Sequence, residues 1–536
     1  MTLRRDRPGV RPDQPGVPGP GRRLLRERRT ARGLALPALA VALVLAPACR
    51  RAARPLELTL SLPYDLDSLE PGLRDRLSDF AVLSNFYEPL VTTDANLALR
   101  PCLAERWTNP DMTTWVFDLR RGVRFHDGRA LTSRDVVATF RRLLDEPGRL
   151  EAARHIHAIE SVRALADDRV EIRTRTPMAD FLNRVRFIHV VPEGSTPEGL
   201  RSGAVGTGPY RLVSSRAGES VTLERFPGYW GAAPAVERAV VRLLRPPVDA
   251  LADLLAGRSG FVQSSSKDAL LAGSQQGFAV RRASSIAVKF LYFDVTSPRS
   301  PDVSGGVNPF RDRRVREAIH VGLDRARLVE RLPAPVLPAW QLVPPFIFGY
   351  SPHLPRPVAD PEKARALLAE AGFPAGFSVV LHARQLLADA FEPLREGLAK
   401  IGIRADVRGM SEAEFFAESR EAPGFTVALS RFGCPTGDAA NFFDAGLHSR
   451  DAAGRWGRDN RGGYANAEVD RLIEQAAVTL QPELRRPLLE RVMEIAVRDL
   501  PWVPLYVDED VYVFRDDLDW QARLDSYVIV SEIRRR

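Results

Sequence analysis

Two pairs of side chains stand at spacings that could support catalysis or metal binding. His126 and Asp127 are adjacent and could act as an acid–base or metal-ligating pair. Gly128 follows them, so we favour a turn in which their side chains bind the backbone. His155 and His157 would share one face of a strand, but no cysteine or acidic partner stands beside them at ligand spacing. We therefore predict no metal site.

No segment has the pattern of a catalytic nucleophile or of a phosphate-binding loop. The Gly-x-Ser-x-Gly context of serine hydrolases is absent. The glycine-rich segment Gly206–Tyr210 lacks the Lys-Ser/Thr pair of a P-loop and leads into a predicted strand instead of a helix. We predict no catalytic residue and no cofactor, so the sequence does not indicate an enzyme.

The chain contains three cysteines, Cys49, Cys102 and Cys434. Three are too few for a disulfide scaffold, and no two of them have metal-ligand spacing. A bridge between Cys102 and Cys434 is compatible with the sequence, and so are two free thiols.

The positive charge of the chain is concentrated near its start. The 536 residues carry a formal charge of +8, and residues 1–48 hold ten arginines and three acidic residues, or +7. The remainder is therefore close to neutral, at +1, and a nucleic-acid partner is not predicted. The length is enough for two or three domains.

Residues 1–48 have the organisation of a leader with a signal peptide. Basic residues precede the apolar run Leu34–Leu45, which is too short for a good membrane-spanning helix. The Ala46–Cys49 segment resembles a lipoprotein cleavage box, in which Cys49 becomes the lipidated first residue of the mature chain. Ordinary signal-peptidase cleavage after Ala48 fits the same residues. Both alternatives predict export, and the first adds a lipid anchor.

The secondary-structure elements that would position candidate functional residues begin with a predicted hairpin and a capped helix. The alternation in Trp115–Leu119 predicts a strand, and Arg121–Gly122 predicts a turn into a partner strand at Val123–Phe125. Thr132 is a predicted N-cap, with Asp135 three residues later and an apolar helical stripe behind it.

Ordered motifs along this region resemble those of the extracellular solute-binding protein family 5, the oligopeptide-, dipeptide- and nickel-binding components of ABC importers. The similarity covers most of residues 56–515. The motifs that carry it are Tyr87-Glu88-Pro89-Leu90, Pro101-x-Leu103-Ala104-Glu105-x-Trp107, Phe117-x-Leu119-Arg120-x-Gly122-Val123-x-Phe125-His126-Asp127-Gly128 and Asp135-Val136-Val137.

The resemblance implies an α/β fold: a two-lobed type II periplasmic-binding-protein architecture with an extra small domain inserted in the first lobe. Val288–Val295 and Leu500–Tyr506 would be the segments that cross between the lobes and act as hinges. The implied division is residues 1–48, leader and signal peptide; 49–97, first part of lobe I; 98–199, small inserted domain; 200–284, second part of lobe I; 285–495, lobe II; and 496–536, the return to lobe I.

The resemblance also implies a function without catalysis. The protein would be a monomer in the periplasm or on the outer face of the cell membrane. There it would capture a peptide or another small solute and deliver it to the permease of an ABC transporter. An alternative is a ligand sensor of the same fold that presents its closed form to a membrane receptor without transport. A secreted hydrolase on this fold would need a nucleophile–base pair, which the sequence lacks.

The segment Arg431–Phe443 resembles the loop in which peptide-binding members carry an aspartate for the ligand's α-amino group. Pro435 occupies that place here. Asp438 stands three residues later, where two roles are open: a partial substitute for that aspartate as a ligand-binding residue, or only a cap for the next helix. We therefore expect weak binding of ordinary free-amine peptides. Arg431 and Phe432 offer a cation and a stacking face, which suit an acidic or aromatic ligand.

Four further residues complete the predicted ligand-binding set. Tyr87 and Glu88 belong to the first family motif and could reach the cleft. Phe290 and Tyr292 lie in the predicted crossing strand Val288–Val295.

Overall fold

The structure is a computed structural model that describes residues 55–244, 248–264, 266–420, 424–452 and 454–536, and residues 55–536 form one unit. The prediction for the leader and for Cys49 lies outside these residues. The strands are β1 (Leu56–Leu62), β2 (Val91–Thr93), β3 (Leu99–Pro101), β4 (Ala104–Asp111), β5 (Thr114–Leu119), β6 (Ile159–Ala166), β7 (Arg169–Thr174), β8 (Tyr210–Arg216), β9 (Ser220–Arg225), β10 (Val236–Leu243), β11 (Phe261–Ser264), β12 (Phe278–Phe293), β13 (Val336–Pro338), β14 (Phe377–Arg384), β15 (Ile403–Met410), β16 (Val427–Gly433), β17 (Trp502–Arg515), β18 (Leu518–Asp519) and β19 (Arg534–Arg535).

The helices alternate with these strands, as expected for a mixed α/β chain. They are α1 (Leu77–Leu83), α2 (Ser133–Asp145), α3 (Phe181–Val185), α4 (Pro197–Ser202), α5 (Val248–Leu255), α6 (Lys267–Gly273), α7 (Arg313–Gly322), α8 (Arg325–Arg331), α9 (Pro361–Glu370), α10 (Phe391–Ala399), α11 (Glu412–Glu418), α12 (Ala440–Phe442), α13 (Ala467–Val478) and α14 (Pro482–Asp499). Among the helices of the described residues, none combines the length and apolar character of a membrane span.

A continuous sheet connects two lobes. Within the described residues its strand order is β15-β14-β16-β12-β17-β11-β1-β10-β9-β8, and β13 pairs with β17 beside this path. We call the part around β1 and β8–β11 the first lobe, and the part around β14–β16 with α7–α14 the second lobe. Each has its own apolar core, with Leu60, Tyr210 and Phe514 in the first and Phe290, Phe442 and Val492 in the second.

The strands β12 and β17 cross between the lobes. Residues 278–284 of β12 pair with residues 509–515 of β17, next to β11 of the first lobe. Residues 288–293 pair with residues 502–507, next to β16 of the second lobe. The register shifts between Ser284 and Val288, so the paired residues of β12 and β17 do not form one continuous ladder. The predicted hinge segments Val288–Val295 and Leu500–Tyr506 overlap the second-lobe halves of these strands. The first begins directly after this irregularity, and the second ends just before it.

A separate four-stranded sheet, in the order β4-β5-β7-β6, lies within residues 98–199. Together with α2 it surrounds its own apolar core, which contains Phe117, Phe140 and Ile172. We call this part the small sheet domain. The boundaries given for the predicted domains stay predictions.

The capped helix of this domain is confirmed. Asp135 Oδ2 accepts a hydrogen bond of 2.8 Å from the backbone N–H of Thr132 at the start of α2, and the reciprocal bond of the capping box is present. The predicted hairpin partner is wrong, because β5 pairs with β4 and β7, and Val123–Phe125 does not join the sheet. Val123 and Phe125 are buried in the core instead. A period-two pattern indicates a strand but does not identify its neighbours.

Candidate functional site

A cavity of about 550 Å³ lies between the small sheet domain and the second lobe. We call it the arginine-lined cavity. The small sheet domain contributes Arg154, His155, His157, Ala158, Arg175–Met178, Asp180 and Arg184 to its wall. The second lobe contributes Arg431–Gly433, Pro435, Asn441, Asp444, Ala445, Arg455, Trp456, Arg458, Asp459 and Ala477.

Hydrogen bonds join the two walls beside the cavity. Asn183 Nδ2 donates to the carbonyl oxygen of Thr436 at 2.8 Å. The Arg186 guanidinium donates to the carbonyl oxygen of Pro435 and, at 2.9 Å, to Thr93 Oγ1. These contacts attach α3 of the small sheet domain to the loop after β16, so the cavity is bounded by both parts of the molecule.

Three arginines of the wall are neutralised by carboxylates. The Arg184 guanidinium lies 2.6 Å from Asp180 and 3.5 Å from Asp444. Arg154 forms an ion pair with Asp75, which lies outside the wall. Arg458 lies 3.5 Å from Asp459. These three arginines are therefore already paired with carboxylates of the protein itself.

Three other arginines of the wall form no ion pair within the described residues. Arg175 donates to the carbonyl oxygen of His157 at 2.6 Å. The Arg455 guanidinium stacks over the Trp456 ring, with 4.6 Å between the guanidinium carbon and the ring centroid. Arg431, at the end of β16, is exposed toward the cavity. The cavity thus has an excess of positive charge.

The structure places Arg431 and Phe432, of the seven predicted ligand-binding residues, in the wall of this cavity. The Phe432 ring packs edge-on against Phe442, with 4.9 Å between the ring centroids. Pro435, which stands where peptide-binding members carry an aspartate, also lines the cavity. The ligand-binding roles of Arg431 and Phe432 stay predictions.

Asp438 does not line the cavity. Its side chain is buried, and Oδ1 accepts a hydrogen bond of 3.0 Å from Arg485 Nη2 while Oδ2 binds the other end of the guanidinium. The backbone N–H of Ala440 donates to the same Oδ1 at 2.9 Å. In this structure Asp438 forms an ion pair with Arg485 and accepts the Ala440 N–H just before α12, and its ligand-binding role stays a prediction.

Phe290 and Tyr292 also lie away from the cavity. Both side chains are buried in the second-lobe core against Trp502, with ring centroids 4.2 Å and 5.8 Å from the Trp502 ring. Both faces of β12 are covered here, because Phe290 and Tyr292 belong to one apolar core and Leu291 and Phe293 to another.

Tyr87 and Glu88 border a second cavity of about 230 Å³, which Arg186, His189 and Tyr229 also line. The Tyr87 side chain is fully buried. The Glu88 carboxylate accepts hydrogen bonds from Thr207 Oγ1 at 2.8 Å, Tyr229 Oη at 2.9 Å and Trp230 Nε1 at 2.8 Å. The structure therefore gives Glu88 a positioning role between three segments of the chain.

Burial raises the pKa of Glu88 to about 7, although these three hydrogen bonds favour the charged form. The free energy of unfolding should therefore fall as pH rises from 4.5 to 7, because the unfolded chain loses the Glu88 proton first. Relative to Glu88→Gln, which mimics the protonated acid, the unchanged protein should lose roughly 3 kcal/mol over this window. Denaturant unfolding of both proteins at several pH values measures this difference.

Parallel stability curves for the two proteins would contradict the shifted Glu88 pKa. Asp444, whose pKa burial also raises to about 7, titrates in both proteins, so the comparison isolates Glu88.

The sequence-based search for chemistry missed most of the cavity wall. Arg154, Arg175, Arg184, Arg455 and Trp456 stand in no motif that the sequence analysis used. Besides Arg431, Phe432 and Pro435, the sequence pointed to the wall only through His155 and His157, which both line the cavity. His155 Nε2 lies 3.0 Å from Asp75 Oδ1, and the imidazole stacks on Phe187 at 4.5 Å.

The remaining candidates have structural roles. His126 Nε2 bonds to the carbonyl oxygen of Gly208 at 3.0 Å, and Nδ1 accepts from the Gly206 N–H at 3.2 Å, as the turn interpretation predicts. Cys102 and Cys434 are buried free thiols. Within the described part of the chain, no group of three or more histidine, cysteine or acidic side chains could hold a metal ion.

Comparisons with known proteins agree on one class. The sequence model of the "Bacterial extracellular solute-binding proteins, family 5 Middle" matches residues 98–454. The glutathione-binding protein GsiB of Escherichia coli strain K12 is 28% identical over 495 residues, which cover 88% of this chain and 93% of GsiB. The family match includes the cavity wall from Arg154 to Ala445 and ends just before Arg455.

Solved structures match along the same length. HbpA2 from Haemophilus parasuis superposes with a TM-score of 0.79 at 22% identity, covering 90% of this chain and 100% of that one. The periplasmic binding protein DppA from Helicobacter pylori, in complex with the peptide STSA, gives a TM-score of 0.73 at 21% identity, covering 89% and 98%. At these identities the likeness establishes the two-lobed α/β fold.

Proposed function

Because this chain belongs to the bacterial extracellular solute-binding proteins of family 5, we propose that it captures a small solute outside the cytoplasmic membrane and delivers it to the permease of an ABC importer. It acts as a monomer and makes or breaks no bond in the solute. The ligands of the relatives GsiB and DppA, glutathione and a short peptide, indicate the size of solute that this architecture accepts.

The arginine-lined cavity is the observation that carries this proposal. Its volume of about 550 Å³ is typical of pockets that enclose small organic ligands. A solute in it would contact both the small sheet domain and the second lobe. Binding energy would then favour the conformation in which these parts meet, with bending at the register irregularity between Ser284 and Val288.

Identification of the bound solute tests the function. The exported protein is purified from its native host without dialysis, and mass spectrometry identifies the molecule that co-purifies. Uptake of that molecule is then measured in cells with and without the gene. We expect uptake to be lost with the gene and restored by the intact copy. Unchanged uptake would contradict delivery to an importer, and a lost transcriptional response with unchanged uptake would favour the sensor.

We also propose that the mature protein begins at Cys49 and is held at the membrane by lipid. Cys49→Ser should release the protein from the membrane fraction into the soluble fraction, because the lipid would be its attachment. Fractionation and the intact mass of the mature chain measure this. Cys102→Ser, which changes a buried thiol, is the matched control and should stay with the membrane. A mature chain without lipid mass, or with a different first residue, would contradict the anchor.

A further inference from the structure

We propose that the solute is an acidic molecule with at least two carboxylate or phosphate groups, bound by Arg175, Arg431 and Arg455. This inference rests on the proposed function, because it takes the arginine-lined cavity as the solute site. It names the chemical class that the family assignment leaves open.

The first step is that the protein does not neutralise these three cations itself. Within the described residues, none of the three forms an ion pair, whereas Arg154, Arg184 and Arg458 in the same wall all do. A cation that a closing cavity removes from water without an anionic partner costs several kcal/mol. Closure around an acidic solute removes that cost, and closure around a neutral solute does not.

The neighbours of Arg431 strengthen this argument. In the β12–β16 ladder Arg431 stands directly opposite Lys289, a buried cation. Lys289 forms an ion pair with Asp508, and the nearby Arg384 pairs with Glu412. These carboxylates are therefore engaged by other cations. Arg431 forms no ion pair with them, so an acidic solute can supply its anionic partner.

The three cations come from both sides of the cavity, so a solute with two acidic groups can bind one cation on each side. Arg175 follows β7 of the small sheet domain, Arg431 lies in β16, and Arg455 belongs to the loop between α12 and α13. A guanidinium binds a carboxylate or a phosphate through two parallel hydrogen bonds. Two or more such groups on one solute would connect the small sheet domain to the second lobe.

The wall is poorly suited to a free ammonium group. Asp180 pairs with Arg184 at 2.6 Å, and Asp459 lies between Arg458 and Arg461, at 3.5 Å and 3.2 Å. Asp444 Oδ1 has no hydrogen-bond partner within the described residues, but burial raises the pKa of Asp444 to about 7, so this group is partly neutral near pH 7. Pro435 has neither a charge nor a backbone N–H at the place where peptide-binding members have their aspartate. An acidic solute without a free amine therefore fits this cavity better than an ordinary peptide.

Calorimetry with probes matched in shape but not in charge tests the class. The probes are succinate, citrate and fructose 1,6-bisphosphate, with succinamide, citramide and fructose as their neutral counterparts. We expect at least one acid to bind and its neutral counterpart to bind at least tenfold more weakly. The dicarboxylate and phosphate arms distinguish the two kinds of acidic group.

Variants test the named residues with the acid that binds. Arg431→Gln and Arg175→Gln should each weaken binding by about 10- to 100-fold, the loss expected for one charge-assisted contact. Arg458→Gln is the matched control in the same wall, because Arg458 already pairs with Asp459, and its effect should stay below threefold. Circular dichroism establishes that each variant is folded.

Two results would overturn the acidic class. One is that no acid in the panel binds more tightly than its neutral counterpart. The other is equal affinity of the unchanged protein and of the Arg431→Gln and Arg175→Gln variants. A neutral solute that co-purifies and is imported would reject the acidic class and leave the proposed function intact. Unchanged uptake in the absence of the gene would reject the proposed function itself.

Discussion

Replacement of Asp438 by asparagine should lower the free energy of unfolding by about 3–5 kcal/mol, the usual cost of removing one partner of a buried ion pair. The side chains of Asp438 and Arg485 are 6% and 5% exposed, and the guanidinium binds both carboxylate oxygens. Arg485 also donates to the carbonyl oxygen of Ala476 at 2.9 Å. In the variant, the charged guanidinium of Arg485 would stay buried, and the neutral amide oxygen of the new asparagine would replace the carboxylate.

Chemical denaturation of the two proteins measures this loss. Asp459→Asn is the control, because Asp459 also pairs with arginines but is 31% exposed, and such pairs contribute at most about 1 kcal/mol. A change below 1 kcal/mol for Asp438→Asn, together with loss of solute binding, would contradict the structural role. It would restore the ligand contact that the sequence predicts for Asp438.

Gly206→Ala should lower the free energy of unfolding by about 3 kcal/mol, at the upper end of the usual cost of overpacking. A Cβ atom at this position would lie 2.1 Å from the carbonyl oxygen of Phe86 and 2.8 Å from Tyr87 Cδ1. Hydrogen bonds hold both backbone segments of this contact in place. Gly208 N–H donates to Phe86 O at 2.8 Å, and His126 N–H donates to Gly206 O at 2.9 Å. The backbone cannot move away without breaking these bonds.

Thermal and denaturant unfolding measure this effect, and Gly203→Ala is the control. A Cβ atom at Gly203 would have its nearest neighbour at 3.7 Å, an ordinary contact, so this change should leave stability within about 1 kcal/mol. Equal stability of the two variants would show that Phe86 can shift. The glycines of the Gly206–Tyr210 segment thus serve a close approach of two backbones, and not a phosphate group.

Local patterns in the sequence predicted local structure well. The capping pair Thr132 and Asp135 begins α2 at Ser133, and Asp360 caps α9 by accepting the Lys363 N–H at 2.9 Å. Such contacts span three residues, so neighbouring residue types are enough to specify them. Such short-range patterns could not predict the partner of β5, because the choice between Val123–Phe125 and β7 depends on packing of the whole small sheet domain.

The sequence by itself determined the family and, with it, the two-lobed α/β fold, because ordered motifs along some 350 matched residues survive extensive substitution elsewhere. It also singled out Arg431 and Phe432 as candidate ligand-binding residues, and both line the cavity. Only the tertiary structure decided which charges face the cavity. Arg175 and Arg455 meet there from positions 280 residues apart, and Asp438 is directed to Arg485, 47 residues later. Ion pairing depends on distances in space, which no local spacing encodes.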